Sequence, residues 1–150
     1  MSLTISETES PSLPIRKLYG IATDQSTKWS NNWIIGARQV FGKLFRLPSN
    51  WDGQGTPSPD GELLREAWKL VDDLSRADCP RPAAISPTPS GGVQIEWEQG
   101  TRYFEVEFVP NPLRAQCFSS DGDLGSERED EIVMRDLFHH VLDAATATCK

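Results

Sequence analysis

Two glycine-rich segments, each marked by a tryptophan, stand on either side of one amphipathic helix and constrain the fold more than any other feature. The first is residues 50–55 (NWDGQG), and the second is residues 87–97 (PTPSGGVQIEW). Each combines turn-forming residues with a large aromatic side chain that must be buried. Together they indicate how a helix meets a sheet, and neither contains a recognisable set of reacting groups.

The helix between these segments is predicted over residues 59–76. Ser58 can cap its first turn, and Pro59 suits the first helical position. Asp60 and Glu62 add negative charge at the positive end of the helix dipole. Apolar side chains recur at three- and four-residue spacings on one side, so the helix is expected to pack on a core.

Two further helices are predicted from the same periodicity. The first begins at Asn31 and is ended by Pro48, with two glycines that weaken it and make it dependent on packing. The second covers residues 127–146 and opens with a capping box formed by Ser126 and Glu129. Both patterns place leucine, valine and phenylalanine along a single stripe.

Strands are predicted where apolar and polar residues alternate, over residues 93–98 and 103–108. A two-residue turn at Gln99 and Gly100 would pair Ile95 with Phe104 and Val93 with Val106. A third strand is predicted near residues 114–119. The proline-rich stretch at 80–89 is expected to run extended, with Ile85 anchored in the core.

This order of elements predicts an α+β fold, an antiparallel meander of about three strands packed on one face by two to three helices. The length of 150 residues suits one domain with a true core. Residues 1–14 are rich in Ser, Thr, Glu and Pro, and are expected to form a flexible N-terminal tail. Residues 15–150 are expected to form the single domain, with residues 15–28 as a short strand or a docking segment.

The outer face of the predicted hairpin is an acidic stripe that is expected to be open to solvent. Three interpretations of its carboxylates remain: a solvated outer face, a site that holds a cation or acid–base pairs with raised pKa, or a surface for a basic partner. In the last case the stripe would imitate a nucleic-acid backbone. Its members are Glu96, Glu98, Glu105 and Glu107.

Charge is distributed unevenly along a chain of net charge −7. Residues 1–50 carry six basic and three acidic side chains, whereas the remaining hundred carry nine and nineteen. An acidic body disfavours nucleic-acid binding, which needs a basic surface. The basic residues Arg38, Lys43 and Arg46 are either a solvated helix face or a second surface for an acidic partner.

The sequence predicts neither a metal site, nor a cofactor, nor a catalytic residue. Three widely spaced cysteines fit neither a disulfide framework nor a zinc site and suit a reducing cytoplasm. The two histidines, His139 and His140, are adjacent on a helix and point about 100° apart, so they cannot chelate one ion together. No apolar run approaches the 18 residues of a membrane span, and the acidic N-terminus is unlike a signal peptide.

The two glycine-rich segments each have a structural and a chemical interpretation. Asp52 is either a catalytic carboxylate on a loop or the acceptor of an Asx-type turn, with Gly53 at positive φ and Trp51 in the core. Residues 90–92 (SGG) resemble a fragment of a phosphate-binding loop, but they precede a strand and lack the lysine of such a loop. A turn that leads into a strand is the favoured interpretation.

The same residues carry a resemblance to a group of small bacterial and phage-associated proteins without an established activity. The pattern is NWDGxG, a helix, and then PTPxGGxQxEW, and it covers roughly residues 31–110. The shared positions are Trp51, Asp52, Gly53, Gly55, Gly91, Gly92 and Trp97, with Thr56 where alanine is usual. The resemblance implies a bacterial cytoplasmic setting and one compact domain, and it provides no catalytic residue.

Two classes of function therefore remain. The first is a non-enzymatic interaction module, such as an antitoxin-like, immunity-like or phage-defence-related regulator that binds a protein partner through a charged surface. The second is a small enzyme or a ligand- or metal-binding domain that uses Asp52 with carboxylates of the sheet. Because no catalytic constellation is evident, the interaction module is favoured; the sequence does not indicate an oligomeric state.

Overall fold

A computed structural model of the protein describes residues 33–150, so the predicted tail, the segment 15–28 and the predicted helix start at Asn31 lie outside the described residues. Over these residues the chain forms three α-helices and five β-strands, with a 3₁₀ turn at Met134–Asp136. The helices are α1 (Trp33–Phe45), α2 (Gly61–Arg76) and α3 (Leu137–Thr148). The strands are β1 (Ala84–Pro87), β2 (Val93–Gln99), β3 (Arg102–Val109), β4 (Arg114–Ser120) and β5 (Arg128–Ile132).

The five strands form one antiparallel meander in the order β1-β2-β3-β4-β5. The α+β class is therefore confirmed, and the expected count of about three strands is too low. The additional strands are the two edges of the sheet. β1 lies in the proline-rich stretch that was expected to run extended, and its Ile85 is fully buried as predicted.

The prediction of a helix over residues 127–146 is wrong in its first half. Residues 128–132 form the edge strand β5, and the helix begins only at Leu137. Ser126 caps no helix: its hydroxyl donates to the carbonyl of Asp123 (2.6 Å) and accepts from the amide of Asp121 (3.1 Å). These bonds organise the β4–β5 loop, because Ser and Asp side chains satisfy backbone groups in tight loops.

The register of the β2–β3 hairpin also differs from the prediction. Ile95 lies opposite Val106 and Val93 lies opposite Phe108, and the turn residues are Gly100 and Thr101. Gly100 has a φ of 62°, which glycine adopts without strain. Since the shift amounts to two residues on β3, the predicted buried set still faces the core.

The core lies between one face of the sheet and the three helices. Inward-facing side chains of β2 and β3 are fully buried, including Ile95, Trp97 and Phe104. The tryptophans also tie layers together: Nε1 of Trp97 donates to the carbonyl of Pro80 at 2.8 Å, and Nε1 of Trp33 donates to the carbonyl of Cys79 at 3.1 Å. These bonds satisfy the indole N–H groups inside the core.

Helix α2 begins two residues later than its predicted cap implied. Its N-cap is Asp60, whose carboxylate accepts a hydrogen bond from the amide of Leu63 at 2.9 Å. Ser58 and Pro59 therefore precede the helix. The predicted buried stripe is confirmed at Leu63, where only 1% of the side chain is exposed.

Candidate functional site

The loop at residues 50–56 is closed by its own polar side chains. Asp52 accepts hydrogen bonds from the amide of Gln54 (2.9 Å) and from the hydroxyl of Thr56. Gly53 has a φ of 76°, and Trp51 is 4% exposed with its Nε1 donating to the carbonyl of Pro57 at 3.3 Å. The Asx-turn interpretation of Asp52 is therefore confirmed.

Electrostatics at Asp52 agree with a structural role. Partial burial acts to raise the pKa of this carboxyl, but hydrogen bonds from the Thr56 hydroxyl and from backbone amides outweigh it and hold the pKa below 3.8. A general acid needs the opposite shift, toward the working pH. The ligand-binding interpretation thus loses its main candidate, because both oxygens of Asp52 are engaged within the loop.

The turn at residues 88–92 leads directly into β2, as predicted. The Thr88 amide donates to the Gly92 carbonyl and the Gly91 amide donates to the Thr88 carbonyl, both at 3.1 Å. Gly91 has a φ of 89°. A Cβ atom on Gly92 would lie 1.9 Å from the carbonyl oxygen of Phe108, so only glycine allows this close approach of β2 to β3.

The glutamates of the predicted stripe share the sheet face opposite the helices, but they differ in exposure. Glu98 is exposed, and Glu105 and Glu107 are partly exposed. Glu96 is only 3% exposed, so the expectation that the whole stripe is open to solvent is wrong for this residue. A hydrogen bond from Tyr103 helps to accommodate this carboxylate, since buried carboxylates need hydrogen-bond donors.

Two further glutamates extend the same face. Glu129 and Glu131 on β5 are exposed and lie opposite Phe118 and Gln116 of β4, whose side chains point away from the helices. Sequence reasoning missed them because residues 128–132 were assigned to a helix. The available signal was weak: Ile132 is the only apolar residue of this strand, so no alternation of apolar and polar residues marks it.

An aromatic pair lies at the centre of this face. The rings of Tyr103 and Phe118 meet edge-on with centroids 6.0 Å apart, and both side chains are partly exposed. The Tyr103 hydroxyl lies within hydrogen-bond distance of carboxylate oxygens of Glu96 (2.9 Å) and Glu105 (2.5 Å), which share its single proton. We define the acidic face as this pair together with the accessible glutamates around it, which are Glu98, Glu105, Glu107, Glu129 and Glu131.

The acidic face shifts the protonation of its own groups. Burial, followed by the hydrogen bond to Glu105 and the charges of Glu105 and Glu96, raises the pKa of Tyr103 far above its usual range. Burial and the charge of Glu105 also raise the pKa of Glu107, against smaller opposing effects of Thr88 and Arg114. The carboxylates therefore repel one another, and added positive charge would relieve that repulsion.

The basic residues of α1 lie on a different surface. Arg38, Lys43 and Arg46 are exposed on a helix that packs on α2 and β1. The guanidinium carbon of Arg38 lies 5.9 Å from the centroid of a Trp68 ring, a cation–π distance. The fold separates these cations from the acidic face, which lies on the opposite side of the sheet.

The cysteines and histidines form no evident reactive centre. Cys79, Cys117 and Cys149 are free thiols. Burial, followed by the charges of Asp130 and Glu105, raises the pKa of Cys117 to about 12, so this thiol is protonated at neutral pH. Within residues 33–150, no three His, Cys, Asp or Glu side chains are grouped in a way that would hold a metal ion.

Comparison of this chain with protein families, curated proteins and solved structures finds no match. In the described part of the chain, no helix has both the length and the apolar character that a membrane span requires. The resemblance based on residues 31–110 therefore stays a prediction.

Proposed function

We propose that the protein is a non-enzymatic interaction module whose acidic face binds a basic surface of a partner protein. The observation that carries this proposal is the grouping of five accessible glutamates around the Tyr103–Phe118 pair on one sheet face. Such a face can serve an antitoxin-like, immunity-like or phage-defence-like regulator in a bacterial cytoplasm, the setting that the sequence resemblance implies.

The arrangement of charge supports a binding role because neighbouring carboxylates on this face repel one another. Glu96 and Glu105 are directly opposed across the β2–β3 ladder, and like charges in such pairs destabilise a sheet. Glu107 adds a third carboxyl with a raised pKa. A cationic partner surface would relieve this repulsion and attract the carboxylates. The electrostatic free energy of binding is therefore more favourable than for carboxylates that are isolated on a surface.

The aromatic centre supplies the second component of a binding surface. Tyrosine is enriched at interface hot spots, and charged residues typically form the surrounding rim. Tyr103 and Phe118 hold each other by edge-on contact, so little side-chain entropy is lost when a partner covers them. The rim carboxylates would steer a basic partner toward this centre and make association sensitive to salt.

The proposal is tested by capture of partners from cells that naturally produce the protein, followed by quantitative mass spectrometry. The full chain is compared with the double variant Glu129→Lys and Glu131→Lys. Both residues are exposed, so the variant is expected to fold. We expect a basic protein to be captured by the parent chain, to be released by raised salt, and to be lost from this variant.

Two matched variants locate the interaction. Asp73→Lys with Asp143→Lys makes the same change in net charge at exposed positions of α2 and α3, and it should keep the partner. Lys43→Glu with Arg46→Glu tests the basic surface of α1. The acidic face is rejected as the binding surface if its variant captures the same proteins as the parent, or if only the α1 variant loses the partner.

A further inference from the structure

A groove lies beside α3 on the helix side of the sheet, and Phe118 and Tyr103 of the acidic face also contribute to its walls. Helix α3 packs over β2 and β3, so the helix-facing sides of β4 and β5 extend beyond it. Two adjoining cavities of about 270 Å³ and 380 Å³ lie where β4 and β5 extend beyond α3. Both are lined by Phe104, Ser119, Arg128 and Ala144. The sequence did not predict this groove, because residues 127–146 were expected to form one helix.

Two opposite charges face the smaller cavity from the same strand. Arg128 and Asp130 both line it, and their partners across the ladder, Ser119 and Cys117, confirm that they are on the helix side of β5. Positions two residues apart on a strand are about 7 Å apart. No salt bridge between Arg128 and Asp130 is found within residues 33–150, so both charged groups remain available to a ligand.

The rest of the wall combines aromatic and small side chains. The rings of Phe104 and His140 lie with centroids 6.2 Å apart, and Ala144 lines the same cavity. A volume of about 270 Å³ falls below the range of pockets that enclose drug-sized ligands, so the cavity suits a small molecule. The ligand that matches this wall has one positive group, one negative group and a flat apolar body.

We propose that this groove binds a free α-amino acid with an aromatic side chain. The guanidinium of Arg128 holds the carboxylate of the ligand, since this fork geometry matches a carboxylate. The carboxylate of Asp130 accepts from the ammonium group, and the side chain lies against Phe104 and His140. The charged groups of this site, Arg128 and Asp130, lie on the opposite side of β5 from Glu129 and Glu131 of the proposed partner surface, so variants can test the two proposals separately.

Thermal denaturation and titration calorimetry of the full chain with L-phenylalanine, L-tyrosine and L-tryptophan test this site. At least one of them is expected to raise the Tm when present in millimolar excess, because a ligand that binds only the folded state stabilises it. Phenethylamine and 3-phenylpropionate each lack one of the two charges of phenylalanine. Neither should shift the Tm as far as the amino acid that binds. The proposal is overturned if none of the three amino acids binds.

Variants on the two sides of β5 identify the binding groups. Arg128→Gln and Asp130→Asn should each weaken binding by about tenfold or more, since each removes a charge-assisted hydrogen bond. Glu129→Gln and Glu131→Gln lie on the same strand but face the acidic side, and should bind as the parent does. Equal affinity in all four variants would place the ligand elsewhere and reject the site, whatever the outcome for the partner surface.

Discussion

Glu105 lies directly opposite Glu96 across the β2–β3 ladder. The hydroxyl of Tyr103 contacts a carboxylate oxygen of each, although it has only one proton to donate. The hydrogen bond of Tyr103 and the repulsion between the two carboxylates therefore act at the same place in the sheet.

The Tyr103 hydroxyl should contribute to stability. Tyr103→Phe keeps the ring contact with Phe118 but removes the donor to both carboxylates. We expect the free energy of unfolding in urea at pH 7 to fall by about 1.5–3 kcal/mol, which is typical of a lost hydrogen bond to charged groups. The neighbouring Glu98→Gln, at an exposed position on the same face, should change it by less than about 0.5 kcal/mol. An unchanged stability in Tyr103→Phe would show that the hydroxyl contact is not stabilising.

Glu107 should make the protein less stable as the pH rises. Burial and the charge of Glu105 raise its pKa in the folded state above the ordinary value of 4.5, so the folded state binds the proton more tightly than the unfolded state. Stability from this group is therefore lost as the pH rises from about 4.5 through the folded pKa. Glu107→Gln should gain stability relative to the parent between pH 4 and pH 7. A difference that is constant over this range in urea titrations would contradict the assignment.

Asp52 should show the opposite dependence. Hydrogen bonds from Thr56 and from backbone amides outweigh partial burial and hold its folded pKa below 3.8, so the folded state favours the carboxylate. Its stabilising contribution is present above the unfolded pKa and is lost as the pH falls through the folded pKa. Asp52→Asn should thus be most destabilising near pH 7 and least near pH 2. An equal effect at both pH values, measured by thermal unfolding, would show that ionisation of Asp52 does not stabilise the loop.

Local chemistry made much of the fold predictable from the sequence. The alternation in residues 93–98 and 103–108 identified the central hairpin, and the turn chemistry around Asp52 and Gly91 predicted both connecting loops. The two-residue error in register arose because Gln99–Gly100 and Gly100–Thr101 are both acceptable turns. Cross-strand packing, which depends on the folded sheet, selects between them.

The edges of the sheet could not be recognised in the same way. β5 has one apolar residue, Ile132, and owes its conformation to pairing with β4 rather than to its own pattern. Because residues 127–146 were assigned to one helix, the sequence did not predict that Glu129 and Glu131 lie on one face of the sheet and that Arg128 and Asp130 lie on the other. The burial of Glu96 was equally hidden, because it depends on tertiary contacts.

Gly92 and Gly42 should respond to alanine with opposite signs. At Gly92, a Cβ atom would lie 1.9 Å from the carbonyl oxygen of Phe108. β2 and β3 would therefore have to separate where the turn at residues 88–92 leads into β2. Gly92→Ala should lower the free energy of unfolding by about 3 kcal/mol or more, the range of severe steric disruption. At Gly42, in α1, the nearest atom is an Arg46 side-chain nitrogen at 3.8 Å, so Gly42→Ala meets no obstruction and should add about 0.5–1 kcal/mol. Urea unfolding of both variants checks the pair, and a Gly92→Ala protein as stable as the parent would show that the close approach of β2 to β3 is not required.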